Sequence, residues 1–251
     1  MKKSAFQELN EVENSFWWHV GRKKIIEKQL STIGNSNNQP LTILNVGAGT
    51  GGTIATLEKF GVVTNVDSSE EAIKYLQRNG YHGELFDGKK LPFADSSFDI
   101  VAALDVLEHI SDGTGAIKDW LRVLRPGGVL LVTVPAYQWL WSDHDVANMH
   151  FRRYTKRSLK KALNEFASLE VEKLSYMIVF SLPLIVGYRI LGKAKKLIFK
   201  QNKLTAKTNL IELPRPVNSL FISLLSLEAS MQKTIDFPFG TSVIARVRKP
   251  E

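Results

Sequence analysis

The feature that most constrains this chain is an apolar run that ends in glycines, Leu41-Thr-Ile-Leu-Asn-Val-Gly-Ala-Gly-Thr-Gly-Gly52. Thr42–Val46 is short and rich in β-branched and aliphatic residues, the pattern of a strand buried on both faces of a sheet. Gly47, Gly49 and Gly51 allow a tight turn whose backbone approaches a ligand more closely than any side chain would permit. Residues 53–60 are predicted helical, so N–H groups at a helix start would face whatever occupies the turn. A strand, a glycine turn and a helix in this order predict a site for a nucleotide-type cofactor.

The glycines satisfy two patterns. Gly47, Gly49 and Gly51 make G-x-G-x-G, usual for S-adenosylmethionine, while Gly47, Gly49 and Gly52 make the dinucleotide pattern G-x-G-x-x-G. Both cofactors call for an acidic residue at the end of the next strand, to hydrogen-bond ribose hydroxyls. Val62–Val66 reads as that strand and Asp67 as that acid.

Four further segments follow in register: Phe86-Asp-Gly-Lys-Lys-Leu-Pro-Phe93, Ser96-Ser-Phe-Asp-Ile-Val101, Leu104-Asp-Val-Leu-Glu-His109 and Leu124-Arg-Pro-Gly-Gly-Val129. Together with the glycine turn they closely resemble the class I S-adenosylmethionine-dependent methyltransferases, in particular the type 11 group. The resemblance covers residues 40–175, with a last strand returning near 242–249. It implies a Rossmann-like α/β fold: a seven-stranded, mostly parallel sheet with helices on both faces. It also implies that Gly47, Gly49 and Gly51 pack against the methionine and ribose of S-adenosyl-L-methionine. Asp67 would accept from the ribose hydroxyls, with Ser68 bordering the adenine. Asp87, beside Gly88, would meet the adenine amino group, and Leu104 would lie near the sulfonium. Arg22, before the first strand, resembles an arginine that some relatives place on the cofactor carboxylate, where a bidentate guanidinium suits the geometry. Asn45 departs from the pattern, since the family commonly has an acidic residue two before the first glycine.

With 251 residues and 44% hydrophobic content, the chain can bury one full core, and no Pro/Gly/Ser linker divides it. Residues 1–20 are charged and aromatic without the apolar segment of a secretory leader, so the expected location is cytoplasmic. There is no cysteine, which excludes a cysteine nucleophile of the kind used in cytosine C5 methylation. It also excludes thiolate zinc and iron–sulfur sites, and with them radical use of the cofactor. The Asn/Asp-Pro-Pro-aromatic signature of N6-adenine methylation is missing as well.

The expected organisation is an N-terminal helical lid (1–38), a Rossmann-like core (39–175 and 239–251) and a helical insertion (176–238) before the last strand. A loop of roughly twenty residues is predicted after the strand Val129–Val134, longer than such connections usually run. It carries Pro135-Ala-Tyr-Gln-Trp-Leu-Trp-Ser-Asp-His-Asp145 and His150-Phe-Arg-Arg-Tyr-Thr155, aromatic, histidine and arginine side chains suited to an anionic acceptor. Beyond it, a helix is expected over Ser158–Phe166 and strands over Leu169–Leu174 and Val243–Val247. The insertion opens with thirteen uncharged residues, Tyr176–Tyr188, too few to span a bilayer. Between Arg152 and Lys207 there are fourteen Lys/Arg against three Asp/Glu, so the net charge of +8 is concentrated there. An apolar run beside a basic one fits an anionic membrane surface or a lipid-linked acceptor over 176–207. It equally fits a cap over the active site or a dimer contact, and the cap is the preferred expectation.

Asp105, Glu108 and His109 would share one helix face and resemble a cluster that some O-methyltransferases use for a divalent ion. No metal ligand is assigned on that basis, because a carboxylate–imidazole set is necessary but not sufficient. The functional expectation is methyl transfer to an oxygen or nitrogen of a small or lipid-like acceptor, with His109 or His144 as proton acceptor. The alternatives are a basic nucleic-acid-binding protein or RNA methyltransferase, and a cofactor-binding scaffold without catalysis. No nucleic acid is expected as partner, since no nucleic-acid module is visible and the basic residues are lysine-rich without interleaved aromatics.

Overall fold

A computed structural model describes residues 3–34, 39–166, 169–180, 182–183, 186–187 and 213–251. Its elements are α1 (Lys3–Val12), α2 (Trp17–Leu30), β1 (Leu41–Val46), α3 (Ile54–Leu57), β2 (Gly61–Asp67), α4 (Glu70–Arg78) and β3 (Glu84–Leu85). They continue with β4 (Phe98–Leu104), α5 (Gly113–Val123), β5 (Leu124–Pro135), α6 (Asp143–Ala147), α7 (Lys156–Asn164) and β6 (Glu170–Met177). Last come α8 (Arg215–Met231) and β7 (Ser242–Arg248). The seven strands form one sheet in the order β3-β2-β1-β4-β5-β7-β6. Only β7 runs against its neighbours, pairing antiparallel with both β5 and β6.

The period-2 alternation of strand side chains explains why the central strands are apolar throughout. Leu44 and Val46 of β1 and Val101 and Ala103 of β4 face a core built with α5 and α7, through Ile117, Trp120, Leu159 and Leu163. Ile43, Ile100 and Ala102 point the other way, into a second core with Ile25 and Ile26 of α2 and Leu225 and Ala229 of α8. Asn45 is a polar residue buried within β1. It lies opposite Asn65 in the β1–β2 register and donates to the Asn65 side chain at 3.0 Å. The residue that departs from the family pattern is therefore a satisfied polar bond between two strands.

Helix α8, within the expected insertion, lies on α2. Trp17 meets Phe221 with ring centroids 5.0 Å apart, and the Trp17 N–H donates to the Asn218 side chain at 2.9 Å. Gly21 makes the approach possible, because any Cβ there would collide with the Leu225 side chain. The insertion begins after Met177, two residues beyond the expected start at 176, since Tyr176 and Met177 still pair with Val243 and Ser242. Part of the apolar run, with Ile185, and the lysine-rich stretch 193–207 lie outside the described residues, so most of the expected membrane surface over 176–207 falls there. Among the described residues, no helix is long and apolar enough to cross a membrane.

Where the chain leaves β6, Ile178 adopts φ +62, costly for a β-branched residue. Glu228 of α8 holds this bend: its fully buried carboxylate accepts from the Ile178 N–H and from the Val179 N–H at 2.8 Å. Replacing Glu228 with Ala should destabilise the fold by about 1–3 kcal/mol for each donor left without an acceptor, read as a fall in the urea midpoint. An unchanged midpoint would show that water replaces the carboxylate.

Candidate functional site

Strand order reverses between β1 and β4, and ligands in open α/β sheets bind at the carboxyl ends of the strands at such a point. A cavity of about 670 Å³ lies there, within the usual range for small-molecule sites. Gly47 follows β1, Asp67 ends β2 and Leu104 ends β4, so all three meet at its floor together with Gly49 and Ser68.

The turn is shaped by backbone geometry. Gly47 and Gly49 have φ of +70 and +59, and no atom lies within 4 Å of where a Gly49 Cβ would stand. Gly49 thus presents bare backbone to the cavity. Its N–H donates to Asp67 at 2.9 Å, and the second Asp67 oxygen accepts from the Ser69 N–H at 2.9 Å. Burial pushes the Asp67 carboxyl up, while these N–H groups pull it back. Two expectations change here. The predicted helix over 53–60 is the single turn α3, so N–H donors come from the glycine turn rather than from a helix. Gly51 faces Tyr81, Leu76 and Ile54, which makes it a packing glycine beneath the turn.

Asp87 is fully exposed, and its carboxylate accepts from the N–H groups of Lys89 at 2.9 Å and Lys90 at 3.3 Å. It closes a turn and does not line the cavity. Gly88 beside it faces Ser68, whose Cβ would be 3.5 Å from a Gly88 Cβ.

Arg22 lines the cavity, buried, but its Nη2 is committed to Asp105 at 2.9 Å and to Thr133 at 3.0 Å. Asp105 therefore points at Arg22 rather than along a shared helix face. It has φ +60, and only Leu107–His109 beyond it forms a 3₁₀ turn. The expected i, i+3, i+4 face is replaced by a bend that sends Asp105 one way and Glu108 and His109 another.

The loop after β5 forms the opposite wall. It holds a 3₁₀ turn at Gln138–Leu140 and then α6, and His144, His150 and Arg153 line the cavity. Arg153 is no anion receptor: it grips the buried Asp145 through Nε at 2.6 Å and Nη2 at 3.0 Å and donates to the Ala136 carbonyl at 3.0 Å. Arg152 donates to the Ser111 carbonyl at 2.7 Å. Asp145 also accepts from His150 Nδ1 at 2.9 Å. Burial works to raise its pKa, but the bonds to His150 and Arg153 outweigh that and hold the carboxyl well below the usual range. Nearby, burial and the adjacent His150 push the His109 imidazole down to about 4. Burial and then Asp105 push the Glu108 carboxyl well up.

The N-terminal helices supply residues that no spacing revealed. Trp18 and His19 of α2 line the cavity, and burial, then Arg22 and Lys23, push His19 down to about 3. Glu13 accepts from the Thr50 hydroxyl at 2.6 Å and so ties the segment between α1 and α2 to the glycine turn. These contacts join residues before the first strand to the turn after it, and local pattern carries no signal for that.

The fold and this cavity define a Rossmann-like α/β protein with a cavity at the switch point of its sheet. Residues 44–132 match the family model described as a methyltransferase domain. The chain is 36% identical over 124 residues to a sterol 24-C-methyltransferase of Aspergillus fumigatus, covering 45% of this chain and 32% of that one. It is 32% identical over 123 residues to a demethylmenaquinone methyltransferase of Chlorobaculum parvum, covering 47% and 49%. The chain thus spans about a third to a half of the length of these relatives. A chain of the Haloferax volcanii complex between the Trm112 methyltransferase activator and a methyltransferase shares the fold, with a TM-score of 0.61 at 15% identity over 99% and 94% of the two chains. Residues 44–132 belong to the class I S-adenosylmethionine-dependent methyltransferases, and the cofactor of that class is S-adenosylmethionine. The cradle fits it: bare backbone at Gly49 beside the buried Asp67 carboxylate leaves room and an acceptor for a nucleoside.

Proposed function

We propose that this chain transfers a methyl group from S-adenosylmethionine to an oxygen or nitrogen of a lipid-like small molecule. One observation carries the lipid-like reading: Met149 and Phe151, 52% and 58% exposed, line the same cavity as the cofactor turn. An apolar rim of this kind suits an acceptor with a hydrocarbon body, and it agrees with relatives named for a sterol and for a menaquinone precursor. When bound, the cofactor supplies a methyl group on a positively charged sulfur, and transfer discharges that cation.

The chain's own contribution is then positioning and exclusion of water. Gly47 and Gly49 give close backbone approach, Asp67 accepts from the ribose hydroxyls, and Ser68 and Leu104 flank them. Trp18 and His19 close the site from the lid side. His109 and His144 line the wall across from the turn and are the groups assigned to accept a proton from the acceptor.

The test pairs binding with turnover. Isothermal titration should show S-adenosylhomocysteine binding and no comparable binding of NAD. With methyl-labelled cofactor, label should pass to a member of a panel containing a sterol, a demethylated quinone and a phenolic lipid. NAD binding without S-adenosylhomocysteine binding would refute the cofactor assignment, and label passing to RNA alone would refute the acceptor class.

A further inference from the structure

Across the cavity from the glycine turn, one carboxylate and two imidazoles converge. Glu108, His109 and His150 each offer a ligand atom, and the three atoms lie within 4.8 Å of one another. Two come from the turn after β4, and the third arrives from the loop after β5, about forty residues later in the chain. The rings of His109 and His150 stand 4.6 Å apart and nearly perpendicular, at 85°. The two rings thus meet edge to face.

Two independent features point to a ligand held by this group. Glu108 is 1% exposed, yet its Oε2 has no hydrogen-bond partner among the described residues. A buried carboxylate oxygen without a donor is costly, and such groups call for an explanation such as an ion. His150 is oriented from behind, because its Nδ1 bonds Asp145 at 2.9 Å, which leaves Nε2 as the lone-pair atom. A carboxylate holding the outer nitrogen of an imidazole is the usual support of a metal-binding histidine. Asp145 is itself pinned by Arg153, so this support is rigid. Asp105 lies outside the group, engaged by Arg22 and Thr133.

We propose that Glu108, His109 and His150 bind a divalent cation of the zinc class at the wall of the cavity. Two imidazoles and one carboxylate match the ligand set of open zinc sites, in which a further position faces the substrate. The nitrogen donors argue against magnesium, which prefers oxygen ligands. Zinc bonds of about 2.0–2.1 Å place tetrahedral donors roughly 3.4 Å apart, so binding would draw the three donors closer together. All three residues line the cavity, so the open position faces the space assigned to the acceptor. An acceptor oxygen could be oriented there, and proton acceptance would then rest with His144.

The experiment uses the full chain, free of any affinity tag and stripped with chelator. Titration with Zn²⁺ alone should show one site per chain, and Mg²⁺ in large excess should not displace it. Substituting Co²⁺ should give a visible absorption band and paramagnetically shifted ring resonances from two imidazoles. That signature is read on the parent chain and needs no variant. Glu108→Gln and His150→Ala, each checked for folding by circular dichroism, should weaken Zn²⁺ binding at least about 100-fold, the upper end of what supporting residues alone cost. The absence of one-to-one binding in the parent chain, a cobalt complex without shifted imidazoles, or full affinity in both folded variants would each overturn the site. S-adenosylhomocysteine titration of the stripped chain keeps this result separate from the cofactor assignment.

Discussion

Replacing Asp145 with Ala is expected to remove about 3–5 kcal/mol of folding stability, the usual cost of leaving one partner of a buried ion pair alone. Asp145 is fully buried, and the Arg153 side chain is 4% exposed. The carboxylate accepts from both sides of that guanidinium, from His150 and from the Ser142 N–H at 2.8 Å. Its removal leaves a guanidinium and several donors without their buried acceptor. Total stability of a domain is about 5–15 kcal/mol, so chemical denaturation should show a large fall in midpoint. The pH dependence has a definite sign. The folded carboxyl is held below its unfolded value, so the stability it contributes is complete above about pH 4 and declines as pH falls toward the folded value. The gap between parent and variant should therefore narrow as the pH drops from 5 toward 2. A loss below about 1 kcal/mol at pH 7, or a gap that widens in acid, would show that this cluster behaves like a surface pair.

Asp67→Ala should weaken S-adenosylhomocysteine binding by about 10–150-fold, the equivalent of one charge-assisted hydrogen bond at roughly 1.5–3 kcal/mol. The carboxylate faces the cavity from the end of β2 and also holds the turn through the N–H groups of Gly49 and Ser69. Two losses are thus combined, the ribose acceptor and the anchor of Gly49. Titration calorimetry on the folded variant, compared with Asp87→Ala, separates site from surface. Asp87 caps its own turn in solvent, so its removal should change affinity far less. Equal affinity in the parent and Asp67→Ala would reduce Asp67 to a structural staple.

The legible part of this protein is the part written in local pattern. An apolar run, three glycines and a strand ending in an acid are contiguous signals, and the structure has β1, the left-handed turn and Asp67 where they were expected. The motif series from Phe86 to Val129 and the returning strand likewise yielded the sheet and its antiparallel β7. Helix length was less legible. Residues 53–60 have apolar spacing for two turns, yet the chain must enter β2 at Gly61, and α3 stops after one.

Side-chain partnership was hardly legible at all. Asp105, Glu108 and His109 look like one face only if the chain there is helical; a positive φ at Asp105 separates them and gives Asp105 to Arg22. Arg153 reads as an anion receptor until Asp145, eight residues earlier, is seen to saturate it. His150 joins Glu108 and His109 only because β4 and β5 are neighbours in the sheet. What the sequence by itself determined is the backbone frame and the nucleotide turn, since both rest on preferences expressed within a few consecutive residues. Which charges pair, which imidazoles meet and where α8 lies were decided by tertiary structure, because those contacts join residues tens to hundreds of positions apart and depend on strand order, which local propensity does not encode.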